Sequence, residues 1–349
     1  VKPDHNNWAP RIGMAYTVLP KTVVRAAYGL SYIHFNRMGG ENLLAYNLPF
    51  ILNPIVDSQL PPGVRNGQPL CTSPAQGPND CFRTTLQGYP NNFLTLANVK
   101  PINTRTNYIP NDLRTAYNQN WHVSIQQQLV GDWVVDVGYV GASANKLMIL
   151  GDYNQARPNR SGESLALQAR RPIQTLGYVQ AAFNGGFLDY HALQTKVEKR
   201  FSRGFYFLNS FTWSKAIDNA SGHLEANNGD NSRVNYLNLA GEKGLSGYDQ
   251  PVNNTTTLLY DLPFGKGRKF GDSWARPADL IAGGWRLSVI NFATSGIPVN
   301  LTYGPSSTFQ VSGAPNYRPN ISGDPVMPEG QRTVAQWLNP ATVSIPTDI

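Results

Sequence analysis

The sequence predicts an all-β chain of long antiparallel strands, and three observations carry that prediction. The first is YHALQTKVEKRFSRGFYFLNSFTWSKAID, residues 190 to 218, where two runs of about ten alternating residues flank a short turn at Phe201-Ser202-Arg203-Gly204. The second is the chemistry of the two faces. His191, Leu193, Thr195 and Val197 oppose Gln194, Lys196, Glu198 and Arg200, while Phe205, Phe207, Phe211 and Trp213 oppose Tyr206, Ser210, Thr212 and Ser214. Asn209 is the exception, a polar residue on the aromatic face. The third is that short and long connections alternate along the whole chain. Strands in globular domains typically run about five or six residues. Strands of roughly 9 to 11, apolar on one face and polar on the other, suit a bilayer wall. Together these features predict an antiparallel transmembrane β-barrel portion, about eight long strands forming an open curved sheet.

The elements follow in order. Residues 7 to 35 read as a hairpin turning at Leu19-Pro20-Lys21, with Ile12, Met14, Tyr16 and Val18, then Val24, Ala26, Tyr28, Leu30 and Tyr32, on the apolar face. Arg11 and Arg25 fall on the other face among small residues. Residues 36–116 form a long connection rich in Pro, Gly, Asn and Gln. In a compact soluble domain such a loop would argue against the assignment, but barrels of this type carry long loops on one side. Residues 117 to 147 form the next hairpin: Trp121, Val123, Ile125 and Leu129 alternate with His122, Ser124, Gln126 and Gln128. Beyond the turn at Val130-Gly131-Asp132, Trp133, Val135, Val137 and Tyr139 alternate with Val134, Asp136 and Gly138. After the hairpin of residues 190 to 218, a strand from about Val252 to Leu262 and a return strand with Trp285, Leu287, Val289 and Ala293 opposite Arg286, Ser288 and Thr294 complete the set. Long extracellular loops are expected at about 36–116, 143–189, 216–247 and 303–349.

Composition narrows the function. Mean hydropathy is −0.34, which does not oppose a membrane location, because a barrel's lipid face is hidden in alternation. No apolar run is long enough for a transmembrane helix. The net charge of +7 comes from dispersed Lys and Arg, so no nucleic-acid partner is expected. Cys71 and Cys81 lie close together in a Pro- and Gly-rich segment without a CxxC or His-Cys set, so a disulfide in an oxidising compartment is expected rather than a metal site. No metal, cofactor or catalytic residue is expected. The turn Phe264-Gly265-Lys266-Gly267-Arg268-Lys269 lacks the spacing of a phosphate-binding loop. Asp218, Asn219, Glu225 and Asp230 lack the spacing of a calcium loop. The histidines are scattered, and no GxSxG elbow occurs.

The candidate substrate-path residues are the charges assigned to the inner face: Arg11, Arg25, Asp136, Lys196, Glu198 and Arg286. A plainer reading is that they hydrate the lumen or bond an occluding domain. Trp121, Trp133, Trp213 and Trp285 are expected in aromatic girdles rather than as sugar-stacking platforms.

The segments APRIGMAY…VVRAAYGLSY, WHVSIQQQLVGDWVVDVGYVGA, HALQTKVEKRFSRGFYFLNSFTWSKAID and YDLPFGKGRKF…GGWRLS resemble consecutive strands of the Oar-like TonB-dependent transporter barrels abundant in acidobacteria. The resemblance covers most of residues 7 to 300. It implies one partial domain over residues 1–349, cut from a bacterial outer-membrane barrel of about 22 strands. It also implies partners: the TonB complex through an N-terminal part, outer-membrane lipid and lipopolysaccharide, and a scarce extracellular nutrient such as an oligosaccharide or peptide. Family members carry a regulatory-like domain and a plug, which these residues do not contain, so the chain is expected to be an internal portion of something longer. Two other functions fit the pattern less fully. A non-transporting barrel for adhesion would lack a plug and TonB segment upstream. A secreted carbohydrate-binding β-sandwich would bury its aromatic faces against a second sheet.

Overall fold

The computed structural model describes residues 2–33, 106–160, 162–221, 234–301 and 318–345, with Asn47 and the short strands Val64–Arg65 and Gln68–Pro69. The expected Cys71–Cys81 disulfide lies outside the described residues, as do Glu225 and Asp230. Eight long strands form one antiparallel meander in chain order. They are β1 (Arg11–Leu19), β2 (Thr22–Ile33), β3 (Ala116–Gln128), β4 (Trp133–Asp152), β5 (Val179–Ser202), β6 (Phe205–Asp218), β7 (Val252–Asp261) and β8 (Arg286–Thr294). The sheet does not close: β1 and β8 are its edges.

The ladder carries the predicted alternation across all strands. Ser124 sits opposite Arg25 and Gly138, Gly138 opposite Gln194, Gln194 opposite Thr212, and Thr212 opposite Asn253. Three rows toward the long-loop side, Trp121 sits opposite Tyr28 and Gly141 on the other face. Direct partners share a face, so one register decides the side of every residue. The two-residue turn Arg203-Gly204 has φ of +52° and +80°. Two left-handed residues match the strand twist in a two-residue hairpin, and glycine adopts that conformation without strain. The connection between β7 and β8 is more structured than the expected turn and contains helix α1 (Arg276–Ala282).

Both faces of the sheet's lower part are open to surroundings. On the apolar face Ile12 is 70% exposed and Trp213 60%. A soluble sheet covers one face with a second layer; here the second layer is absent from the described residues, as a bilayer-facing wall requires. Asn209, the exception in the pattern, donates 2.8 Å hydrogen bonds to Asn254 Oδ1 and Thr256 Oγ1 on β7. Its amide is thereby satisfied by neighbouring side chains, which is how a polar group is kept on a lipid face.

The packed core lies where the strands outrun the membrane. β4 has 20 residues and β5 has 24, about twice what a tilted spanning strand needs. The stretch 143–189, expected as loop, is therefore strand to Asp152 and again from Val179. Alternation could not show this. Residues Met148 to Asp152 are buried on both faces, and a doubly buried strand reads as a continuous apolar run. Within the expected loop 216–247, β6 continues to Asp218 and Gly244–Leu245 pairs with it. Within 36–116, Thr106–Tyr108 pairs parallel with β5 at Val179–Ala181 and is tied to Asn47 by two 2.7 Å hydrogen bonds at Asn107. Met148, Leu150 and Ala182 form the hydrophobic cluster, with Leu113 against it.

Gly141 meets a specific need. A Cβ there would lie 2.3 to 2.5 Å from three atoms of the Trp121 indole. The ring thus lies against the β4 backbone at Gly141, 6.2 Å from the ring of His191, which hydrogen-bonds Tyr139 at 2.6 Å. Gly141→Val should expel the ring and destabilise the barrel by roughly 1–3 kcal/mol. A Trp121→Phe background should recover part of that loss. Urea titration of the four proteins of this cycle checks it; equal costs in both backgrounds would mean the ring is not what fills the space.

Candidate functional site

The six sequence-predicted charges all fall on the polar face, and the structure brings four of them together. Arg25 lies 3.5 Å from Asp136 and donates to Gln126 Oε1 at 2.6 Å. Asp136 is the ladder partner of Lys196, whose ammonium is 2.8 Å from Glu198. These groups make a belt of alternating sign across β2 to β5. Arg11 and Arg286 stand apart at the two sheet edges. Arg286 pairs with Asp261 at 2.5 Å and lies over the Phe201 ring.

The belt opens into a pair of adjoining concavities on the polar face. A concavity of about 390 Å³ is lined by His122, Ser124, Asp136, Gln194, Lys196 and Thr212. A second, of about 310 Å³, continues it toward the long loops. Gln194 and Thr212 belong to both, and Tyr190, Tyr248, Gln250 and Asn253 complete the upper one. Alternation places Tyr190, Gln194 and Thr212 on this face, but nothing in the sequence brings Tyr248 and Gln250 to it. They arrive because Ser246 N–H bonds the Ala216 carbonyl at 3.0 Å and Asp249 accepts from Ala216 N–H at 2.7 Å, folding the loop back over β6.

The loop 153–178 is held by a buried ion pair. Asp152 Oδ2 accepts from Arg171 at 2.8 Å, and Asp152 Oδ1 accepts from the backbone of Asn154 and Val179. The Asn154 amide donates to the carbonyls of Ile173, Leu176 and Gly177. Farther out, the Arg157 guanidinium and then the Arg160 N–H hold the Glu163 carboxyl below the usual carboxylate range. A larger cleft of about 740 Å³ opens between the end of β6 and residues 318–345. Its walls include Trp337, Leu338, Val326 and Leu245, with Arg318 and Glu242 paired at 2.8 Å.

The tryptophans occupy two levels of the apolar face. Trp133 opens β4 with its ring 5.8 Å from Phe207, and Trp285 precedes β8 with its indole donating to the Ile281 carbonyl. Trp121 and Trp213 lie toward the long-loop side, and Trp213 is six residues, roughly 20 Å, along β6 from Phe207. Trp121 lies inside β3 rather than at its end, because the strand continues past that level to Ala116. In the turn Phe264–Lys269, Lys266 N–H already bonds Asp279 and Gly267 N–H bonds Asp272, so this chain's own carboxylates occupy its donors.

The family model for an outer membrane beta barrel domain matches residues 1–348. The chain belongs to the outer membrane beta barrel domain family. It is a protein of the bacterial outer membrane; its apolar face is the lipid face and its polar face the inner one. A search of curated proteins finds no match. Among solved structures it is similar to the outer membrane transporter YddB from Escherichia coli, at 12% identity and a TM-score of 0.36, covering 79% of this chain and 31% of that one. The chain thus spans about a third of that transporter's length.

Proposed function

We propose that this domain is part of the barrel wall of a TonB-dependent, Oar-like receptor that takes up a scarce nutrient, an oligosaccharide or a peptide. It carries no enzymatic activity. The supporting observation is the inner wall: two adjoining concavities that share Gln194 and Thr212 lead from the returning loop at Tyr248 and Gln250 to the charges Asp136 and Lys196. The open edges β1 and β8 require further strands in lipid, since unpaired backbone there costs several kcal/mol per group. The missing strands would close a larger barrel around a plug, and TonB would move that plug.

Growth tests the reading. Strains lacking this gene or tonB are compared with wild type, each given a panel of oligosaccharides and peptides as the limiting nutrient. A shared defect on one nutrient supports energised uptake. Normal growth of both mutants on the entire panel, with surface attachment lost in the gene deletion alone, would replace transport with adhesion.

A further inference from the structure

The upper inner-face concavity differs from the belt below it in one respect that bears on ligand chemistry. The belt's charges satisfy one another. In the upper concavity the side chains of Tyr190, Gln194, Thr212, Tyr248, Gln250 and Asn253 make no hydrogen bond among the described residues. Ser214 lines it too, but its hydroxyl is already given to the Gln250 carbonyl at 3.1 Å. The only charged lining residue, Asp249, is 2% exposed and is occupied by the Ala216 N–H. The surface is therefore neutral, dense in uncommitted donors and acceptors, and bordered by two phenol rings.

We propose that this concavity binds a neutral, hydroxyl-rich ligand, an oligosaccharide, at the extracellular end of the barrel wall. Three amides each present a donor and an acceptor side by side, and hydroxyl groups along a sugar return both. A site built to hydrogen-bond hydroxyls discriminates strongly against ligands without them, because its polar groups would then be buried unpaired. The tyrosine rings add flat apolar area with a polar tip, suited to the alternating C–H faces and hydroxyl edges of a pyranose. Charged ligands fit poorly. A phosphate, a metal chelate or a free peptide terminus is recognised by charge-assisted bonds, and no uncommitted charged side chain lines this concavity. The inference rests on the uptake reading and names its substrate class.

The test uses full-length protein in detergent, without TonB or an energised membrane. The probes are maltohexaose, cellohexaose, xylohexaose and mannohexaose, with end-capped neutral hexapeptides alongside, titrated by calorimetry. At least one oligosaccharide should bind saturably. Tyr248→Ala should weaken it about tenfold or more, the size expected for losing one well-placed contact. Asn253→Ala should act similarly, and Trp337→Ala, in the separate cleft, should change nothing. Tyr248 is 75% exposed, so its truncation leaves the fold intact; Tyr248→Phe should keep most of the affinity. Failure of all four sugars overturns the proposal, as does sugar binding indifferent to both Tyr248→Ala and Asn253→Ala, or capped peptides binding in their place. Because binding is read apart from import, a protein that binds sugar but supports no energised uptake would leave this inference standing and remove the transport reading.

Discussion

Replacing Asp152 with alanine should open the extracellular hairpin while the membrane-spanning sheet survives. The carboxylate is fully buried and Arg171 nearly so, at 0% and 5% side-chain exposure. Removing one partner of a buried pair strands the other charge, at about 3–5 kcal/mol. The loss does not stop at the charge. Asp152 Oδ1 also accepts from Asn154 N–H and Val179 N–H at 2.9 and 3.0 Å, which fix the start and the end of the returning loop. The alanine variant leaves those donors orphaned as well. Because the pair lies above the lipid, the damage should be local. Limited proteolysis of intact cells would read it: cleavage within 153–178 should rise by more than a hundredfold, since cutting of a transiently opened segment follows its equilibrium population. Heat-modifiable mobility of the barrel should be unchanged. Asp152→Asn combined with Arg171→Met should recover much of the resistance, because the Oδ1 acceptor returns and no lone charge remains. Unchanged cleavage in the alanine variant would show that the ion pair does not hold the loop.

Val137→Arg should be the most damaging change within the membrane band. Val137 pairs with Ile125 and Thr195 on the lipid face, midway between the two tryptophan levels. A charge there costs about 2–4 kcal/mol at the bilayer midplane. The matched control is Ser210→Arg, on the inner face beside Lys196. That face is wet, and an exposed substitution away from special features usually shifts stability by no more than about 0.5 kcal/mol. Urea titration of full-length barrel folded in phospholipid vesicles measures both. Similar costs at the two positions would mean that the faces are wrongly assigned; a reversed order would invert the barrel.

The sequence by itself determined the membrane-spanning runs of the eight strands, their pairing within hairpins and their faces. Alternation is a local property: a period of two is written into each ten-residue run, and neighbouring runs joined by turns such as Arg203-Gly204 have one register that keeps every apolar residue on one side. The six charges were legible for the same reason, since Arg11, Arg25, Asp136, Lys196, Glu198 and Arg286 each sit inside or at the end of such a run. Even Asn209 was visible as an exception, although its partners Asn254 and Thr256 were not.

Tertiary structure alone decided what happens above the membrane. Met148 to Asp152 lose their alternation because both faces become interior, so a rule built on one wet or one lipid face cannot see them as strand. Arg171 looks like an ordinary loop cation until the chain folds back and buries it on Asp152, 19 residues away. Tyr190, Gln194, Tyr248 and Gln250 converge only because β5, β6 and a returning loop are brought side by side. Local spacing says which way a side chain points within its strand. Which side chains from distant segments share a space is set by how the loops pack, and that is not a periodic property of any one of them.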